Sequence, residues 1–207
     1  MRKMGLKSIV RQKYRIQTTD SKHTYQVSEN HLDRDFTAKK TGEKWVSDLT
    51  YIKTAEGWIY LTAIQDLANR KVVGWALSET MKAEDTSVAA LKMALKCYPV
   101  TKPLLFHSDR GVQYACSEFR KQLIGLPITQ SMRRKGDCWD NVPAESFFKT
   151  LKTEMVYHRE FKSKQEAKLA IFEFIEVWYN RKRRHSSLGY LSPQAFEEKL
   201  QTEKKGA

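Results

Sequence analysis

The chain has 207 residues, enough for one domain with a substantial core and short appendages at either end. Its 37 Lys and Arg against 24 Asp and Glu leave a net charge of +13, which points to a polyanionic partner, either nucleic acid or an anionic membrane surface. With 41% hydrophobic and 11% aromatic residues the chain can fold by burial, so it is not intrinsically disordered, and no apolar run is long enough to span a bilayer. The basic start MRKMGLKSIVRQKY lacks the apolar stretch of a signal peptide. Cys97, Cys116 and Cys138 form neither a CxxC nor a metal-finger spacing. That usage suits a reducing cytosol and predicts a cytoplasmic protein with no zinc; of the two polyanions, nucleic acid is the expected partner and a membrane is not.

The first forty residues hold ten basic and four acidic side chains and few apolar runs. They read as an arm lying on something else, beginning in the end of a helix near Arg2 to Lys7. Trp45 to Ile52 alternates as a half-buried strand, and Trp58 to Gln65 follows after a turn at Glu56-Gly57. Asp66 to Lys71 is a turn and Val72 to Leu77 a third strand, which completes an antiparallel meander. Asp85 to Tyr98 switches to helical spacing, with Val88, Leu91, Ala94 and Leu95 on one stripe and Pro99 as the stop. Leu104 to Ser108 reads as a short strand, Ser117 to Leu126 as a helix and Ile128 to Ser131 as a last strand. Asn141 or Val142 caps the next helix, with Pro143 early, where proline is tolerated. Ser163-Lys-Gln-Glu166 is a capping box for a helix through Ala167, Ile171, Phe174, Ile175 and Trp178. This order predicts an α/β fold with a mixed sheet.

Three acidic residues stand out by position. Asp48 falls inside the first strand, Asp109 ends the fourth just before Arg110-Gly111, and Glu145 lies in the first turn of a helix. Each has an ordinary reading: a solvent-facing strand residue, a turn residue, and an i,i+4 surface pair with Lys149. Together they suggest more. If the first and fourth strands are neighbours, about 4.8 Å apart, Asp48 and Asp109 can share an ion, and a helix packed over that edge can add Glu145. Carboxylates without His or Cys are hard oxygen ligands that suit Mg²⁺ or Mn²⁺. Two such ions about 3.5–4 Å apart serve phosphoryl transfer.

At roughly 100° per residue, Glu145, Lys149 and Lys152 share one helix face, opposite Phe147, Leu151 and Met155. Arg133-Arg134-Lys135 before this helix and Arg181 to Arg184 after the next extend the basic surface. Lys149, Lys152, Arg133, Arg134, Lys135, Arg183 and Arg184 are therefore the expected contacts to the phosphates of a nucleic acid. His107-Ser108-Asp109 has the letters of a hydrolase triad, but consecutive strand residues point to opposite faces and cannot align.

Several runs carry a resemblance: Trp45-Val-Ser-Asp48-Leu-Thr-Tyr51, His107-Ser-Asp109-Arg-Gly-Val-Gln-Tyr114, Gly136-Asp-Cys-Trp-Asp140-Asn-Val-Pro-Ala-Glu145-Ser-Phe-Phe-Lys149 and Tyr179 to Pro193. They resemble the catalytic (OrfB-type) half of two-reading-frame bacterial insertion-sequence transposases, in the retroviral-integrase superfamily. The resemblance spans about residues 40 to 200, with Val142 where the family commonly shows Ala. It implies an RNase H-like core, a five-stranded mixed sheet flanked by helices, over residues 41–200 with C-terminal helices. Before it lies a basic arm, residues 1–40, in which Met1 to Ser8 resembles the tail of the family's helix-turn-helix-like segment; residues 201–207 are a tail.

The resemblance further implies that Asp48, Asp109 and Glu145 are an acidic triad holding two Mg²⁺ (or Mn²⁺) ions, with Lys152 on the transposon end. The activity implied is DDE-type strand transfer: cleavage at the element's ends, then attack of the 3′-hydroxyl on target DNA. The expected partners are DNA, further copies of the chain and the product of the upstream reading frame, at the nucleoid. Two other readings stand beside it: a catalytically silent DNA-binding remnant of a truncated element, and a hydrolytic nuclease of the same fold.

Overall fold

In the computed structural model, which describes residues 23–134 and 138–205, the alternation across residues 44–66 closes into a hairpin. Its strands are β1 (Lys44–Thr54) and β2 (Gly57–Asp66), joined by Ala55-Glu56, with Gly57 at φ +110° where a side chain would be strained. β3 (Val72–Ser78) adds antiparallel to β2. β4 (Leu104–Ser108) and β5 (Ile128–Met132) run parallel to β1, so the five strands lie in the order β3-β2-β1-β4-β5. This is the five-stranded mixed sheet that the resemblance implies.

Both faces of the sheet are covered, and the period of two along each strand divides the core. Trp45, Ile64, Val73, Leu104 and Phe106 pack on one side with Val88, Leu91 and Ala94 of α1 (Ser87–Cys97). On that side lie also Tyr114 of the one-turn α2 (Val112–Ala115) and Phe119 of α3 (Ser117–Lys121). Ile52, Ile59, Leu61 and Val72 face the other way, against Phe147, Phe148 and Leu151 of α4 (Val142–Glu154) and Ala167 and Ile171 of α5 (Lys164–Phe172). α6 (Pro193–Lys205) closes the described chain. No described helix is long and apolar enough to cross a membrane.

Three local readings are corrected. The helix expected over Ser117 to Leu126 stops at Lys121: Cys116 is extended (φ −68°, ψ 161°), which splits off α2, and Gly125 at φ +80° turns the chain towards β5. The helix expected through Trp178 ends at Phe172 and widens into a π-helix, Glu173–Tyr179, with the Asn180 N–H bonding to the Ile175 carbonyl five residues back. This wider turn brings Phe174, Ile175 and Tyr179 together onto the core. In the capping box, Ser163 Oγ accepts from the Glu166 N–H, but the Glu166 carboxylate accepts from the Lys162 N–H instead of Ser163.

The described part of the arm lies along the β5 edge. The Met132 N–H donates to the Glu29 carbonyl, and Ser131 Oγ accepts from the His31 and Leu32 N–H groups. Buried Asp140 clamps the arm: Asn30 Nδ2 (2.9 Å) and Arg34 Nε (3.0 Å) donate to its carboxylate from the arm, and Arg134 Nε (3.1 Å) from the loop after β5. The helix expected near Arg2 to Lys7 and the likeness of Met1 to Ser8 lie outside the described residues, as does Lys135.

Candidate active site

Ser47↔Ser108 is the last pair of the parallel β1–β4 ladder, so Asp48, in the interior of β1, and Asp109, just past the end of β4, follow it on neighbouring strands. In open α/β sheets ligands bind beyond the carboxyl end of a parallel strand, as that of β4 is here. Asp109 is buried, and the Gly111 N–H donates to its Oδ1 at 2.9 Å. A Cβ at Gly111 would stand 2.9 Å from that oxygen, so the Asp109-Arg-Gly sequence lets the backbone wrap closely over the carboxylate. The Leu49 N–H donates to Asp48 Oδ1.

Beneath the pair lies a buried hydroxyl chain. Ser47 Oγ donates to the Ala63 carbonyl, which leaves the Tyr114 hydroxyl to donate to Ser47 at 2.7 Å. Burial, then Asp109 and Asp48, pushes the Tyr114 phenol well above its ordinary value, so it stays a neutral donor.

Glu145 reaches the same edge through Asn141. The Asn141 side chain does not cap α4; its Nδ2 donates to the Ser47 carbonyl at 3.2 Å, fastening the start of α4 to the strand that carries Asp48. Arg133, whose N–H bonds to the Ser108 carbonyl, comes off the end of β5, and its guanidinium stands 3.9 Å from Glu145 Oε1. Burial raises the Glu145 carboxyl and Arg133 opposes the rise. Burial first, then the Asp109 charge, raises Asp48 to about 8, with Glu145 adding to the rise and Arg133 working against it.

The three acids predicted from sequence are thus brought together, with Asp109 and Glu145 both acting on Asp48. Among the described residues, no three His, Cys, Asp or Glu side chains are arranged as they stand to hold a metal ion. The donor chemistry still fits a hard divalent cation, because a carboxylate such as Asp48, whose proton affinity is raised by burial and by the neighbouring acids, is what such a charge relieves.

The predicted basic residues divide. Lys152 lies 5.1 Å over the Tyr51 ring, where burial lowers its pKa and the Asp48 charge opposes the fall. Lys149 is exposed on the same helix. Arg134 is engaged with Asp140 and, at 2.9 Å, with Asp33. Arg183 lies elsewhere, stacked on Trp178 and Tyr179, and Arg184 beside it is exposed. His107 and Ser108 do not pair: His107 Nδ1 meets Ser131 Oγ at 2.9 Å, and Ser108 Oγ donates to the Asp109 carbonyl.

The integrase core domain family matches this chain twice, over residues 38–138 and 145–200. The transposase InsF for insertion sequence IS3A of Escherichia coli (strain K12) is 40% identical over 199 residues, 96% of this chain and 68% of its own length. This chain belongs to the insertion-sequence transposases with an integrase core. A 31 kDa protein of insertion element IS600 from Shigella sonnei is 42% identical over 96% of this chain and 72% of its own. Among solved structures, a simian T-cell lymphotropic virus intasome has a TM-score of 0.63 at 15% identity, over 84% of this chain and 59% of the other. The HTLV-2 integrase catalytic core in complex with magnesium gives 0.53 at 15% identity, over 75% and 95%. These likenesses establish the RNase H-like fold.

The chain is therefore a DNA transposase catalytic domain in a family of polynucleotidyl transferases, and the reading as a silent remnant is not favoured. Sequence reasoning missed the supports of the site. Asn141 reads as a cap and Tyr114 only as part of a run, and neither carries a local sign of its tertiary partner.

Proposed function

We propose that Asp48, Asp109 and Glu145 form the catalytic centre, a DDE-type site that cuts DNA at transposon ends and joins the freed 3′-hydroxyl to target DNA. The observation that carries this reading is the crowding of Asp48, inside β1, against Asp109, at the end of the neighbouring parallel β4, with Glu145 on the helix tied to β1. The three carboxylates would hold two Mg²⁺ or Mn²⁺ ions. Bound there, such ions polarise the scissile phosphodiester and the attacking oxygen.

The chain's own part is positioning. The Gly111 N–H fixes Asp109, Asn141 sets the height of α4, and the Ser47–Tyr114 pair closes the floor with neutral groups. In cleavage, water displaces the 3′-oxygen at phosphorus, leaving a 3′-hydroxyl and a 5′-phosphate. In transfer, that 3′-hydroxyl displaces the 3′-oxygen of a target phosphodiester, so one ester bond forms as another breaks. Lys149 and Lys152, on the helix that bears Glu145, steady the incoming backbone. Arg133 stands among the acids and adds positive charge for the same strand. Arg134, held by Asp140, is left out of this track. The retroviral relatives include trimeric and dimeric cores and an intasome. A multimer on paired DNA ends, working at the bacterial nucleoid, is the matching expectation here.

The test is Mn²⁺-dependent nicking and strand joining on a branched DNA that mimics the transfer product, with Asp109→Asn alongside. The expected result is activity in the wild type and a loss of at least about a thousandfold in the variant, with DNA affinity little changed. Full activity in Asp109→Asn would refute the site.

A further inference from the structure

On the other flank of α4, away from Glu145, lies a cleft of about 300 Å³. Val142, Pro143, Ser146 and Thr150 form one wall, and Arg70, Tyr179, Arg183, His185 and Ser187 form much of the rest. Among the described residues, no acidic side chain lines it. Arg70 comes from the turn between β2 and β3, where it holds φ +60°, a conformation that costs a non-glycine residue about 1 kcal/mol or more. The turn is locked from below, because Gln65 Nε2 donates both to the Arg70 carbonyl and to the Tyr179 hydroxyl.

The Arg70 guanidinium is half-buried, and among the described residues it makes no ion pair and no hydrogen bond. Arg183 is held from outside the cleft by Glu154 at 3.8 Å and flattened on the Tyr179 ring. Its Nη1 lies 3.1 Å from both ring nitrogens of His185. Burial and the two arginines lower His185 to about 4, so at neutral pH the imidazole adds no charge and can accept from Arg183. Two guanidiniums and the hydroxyls of Ser146, Thr150 and Ser187 thus converge on one concave space, where Arg70 feels the charge of Asp66 without a hydrogen bond or ion pair to it among the described residues. A half-buried cation facing such a space favours an anion there.

We propose that this cleft is a second DNA-backbone site, in which Arg70 and Arg183 grip a phosphate other than the one at the acidic residues. The ligand is a phosphodiester of the strand that continues past the catalytic edge over the first turn of α4. Exposed Arg181, Lys182 and Arg184 beside the cleft give the strand a basic approach. The inference rests on the proposed action on DNA and adds to it an address that the acidic residues do not supply. Its sequence sign is slight: Arg70 reads as a turn residue, 113 positions from Arg183.

The experiment is fluorescence anisotropy of labelled duplex and branched DNA against salt for the wild type, Arg70→Gln, Arg183→Gln and Lys102→Gln, an exposed lysine outside the cleft. Each variant is first checked by thermal melting. Because the Arg70 side chain makes no hydrogen bond or ion pair among the described residues, Arg70→Gln should melt close to the wild type. Arg70→Gln is expected to weaken binding about three- to tenfold near 0.1 M salt and to flatten the log–log salt slope by roughly 0.9. Lys102→Gln should do neither. Inorganic phosphate should raise the melting temperature of the wild type and not of Arg70→Gln. Wild-type binding with a steep slope that Arg70→Gln leaves unchanged, or shifts only as much as Lys102→Gln, would overturn the cleft while leaving the acidic site standing. A wild type that does not bind DNA would overturn both.

Discussion

Burial first, and then the charge of Asp109 on the neighbouring strand, make Asp48 hold its proton up to a pH of about 8 in the metal-free chain. A carboxyl whose folded-state pKa lies above its unfolded value binds the proton more tightly when folded. The stability this gives is complete below about pH 4 and is lost as pH rises through about 8. In EDTA the chain should therefore melt lower at pH 8 than at pH 5. Asp48→Asn keeps a neutral side chain at every pH, so it should flatten this dependence and stabilise the metal-free chain at pH 8 by on the order of 2 kcal/mol. Added Mg²⁺ should stabilise the wild type at pH 8 and leave the variant unmoved. Melting curves at the two pH values decide it, and an Asp48→Asn curve that keeps the wild-type slope would refute the assignment.

At the scale of elements, two joints fix the geometry. β3 meets α1 at Gly74, where a Cβ would lie 2.5 Å from the Ala90 carbonyl oxygen, 2.6 Å from Ala94 Cβ and 2.8 Å from the Ala94 backbone nitrogen. Since two of these atoms belong to the backbone of α1 and the third to a stiff alanine, the helix itself must move. Gly74→Ala should cost roughly 2–3 kcal/mol, read from chemical denaturation. The second joint is Asp140. Burial alone would raise its carboxyl, but the Arg134 side chain and N–H and the Arg34 guanidinium hold it well below the usual carboxylate range. Asp140→Asn keeps the shape and removes the charge that draws both arginines. It should free the arm, seen as faster tryptic cleavage at Arg34, Lys39 and Lys40 with the sheet's circular dichroism intact. Unchanged cleavage would mean that the apolar contacts of Leu32 hold the arm without it.

For the whole molecule, the net charge of +13 sets the reach of the electrostatic field, and its distribution sets the DNA path. Lys152 lies close enough to Asp48 to interact with it, so it belongs to the strand at the chemical centre. Lys152→Ala should weaken DNA binding and reduce the salt slope by roughly one unit, additively with Arg70→Gln, because the two residues serve different phosphates. An unchanged slope would remove Lys152 from the path.

Period-two alternation, a proline early in a helix and the Ser163–Glu166 box are local patterns, so β1 to β5, α1, α4 and the start of α5 were legible from sequence alone. The three acids were legible as well, through their places at a strand interior, a strand end and a helix's first turn. The pairing of β4 with β1 depends on a crossover, and local periodicity could state it only as a condition. The π-helix arises because Phe174, Ile175 and Tyr179 must all reach one core, a demand made by the sheet they cover. Arg34 on Asp140 and Arg70 beside Arg183 join residues far apart in the chain, and Arg133 on Glu145 joins two different elements. Such contacts are set by strand order and helix packing, which local side-chain patterns do not encode, so the tertiary structure alone decided which charges meet.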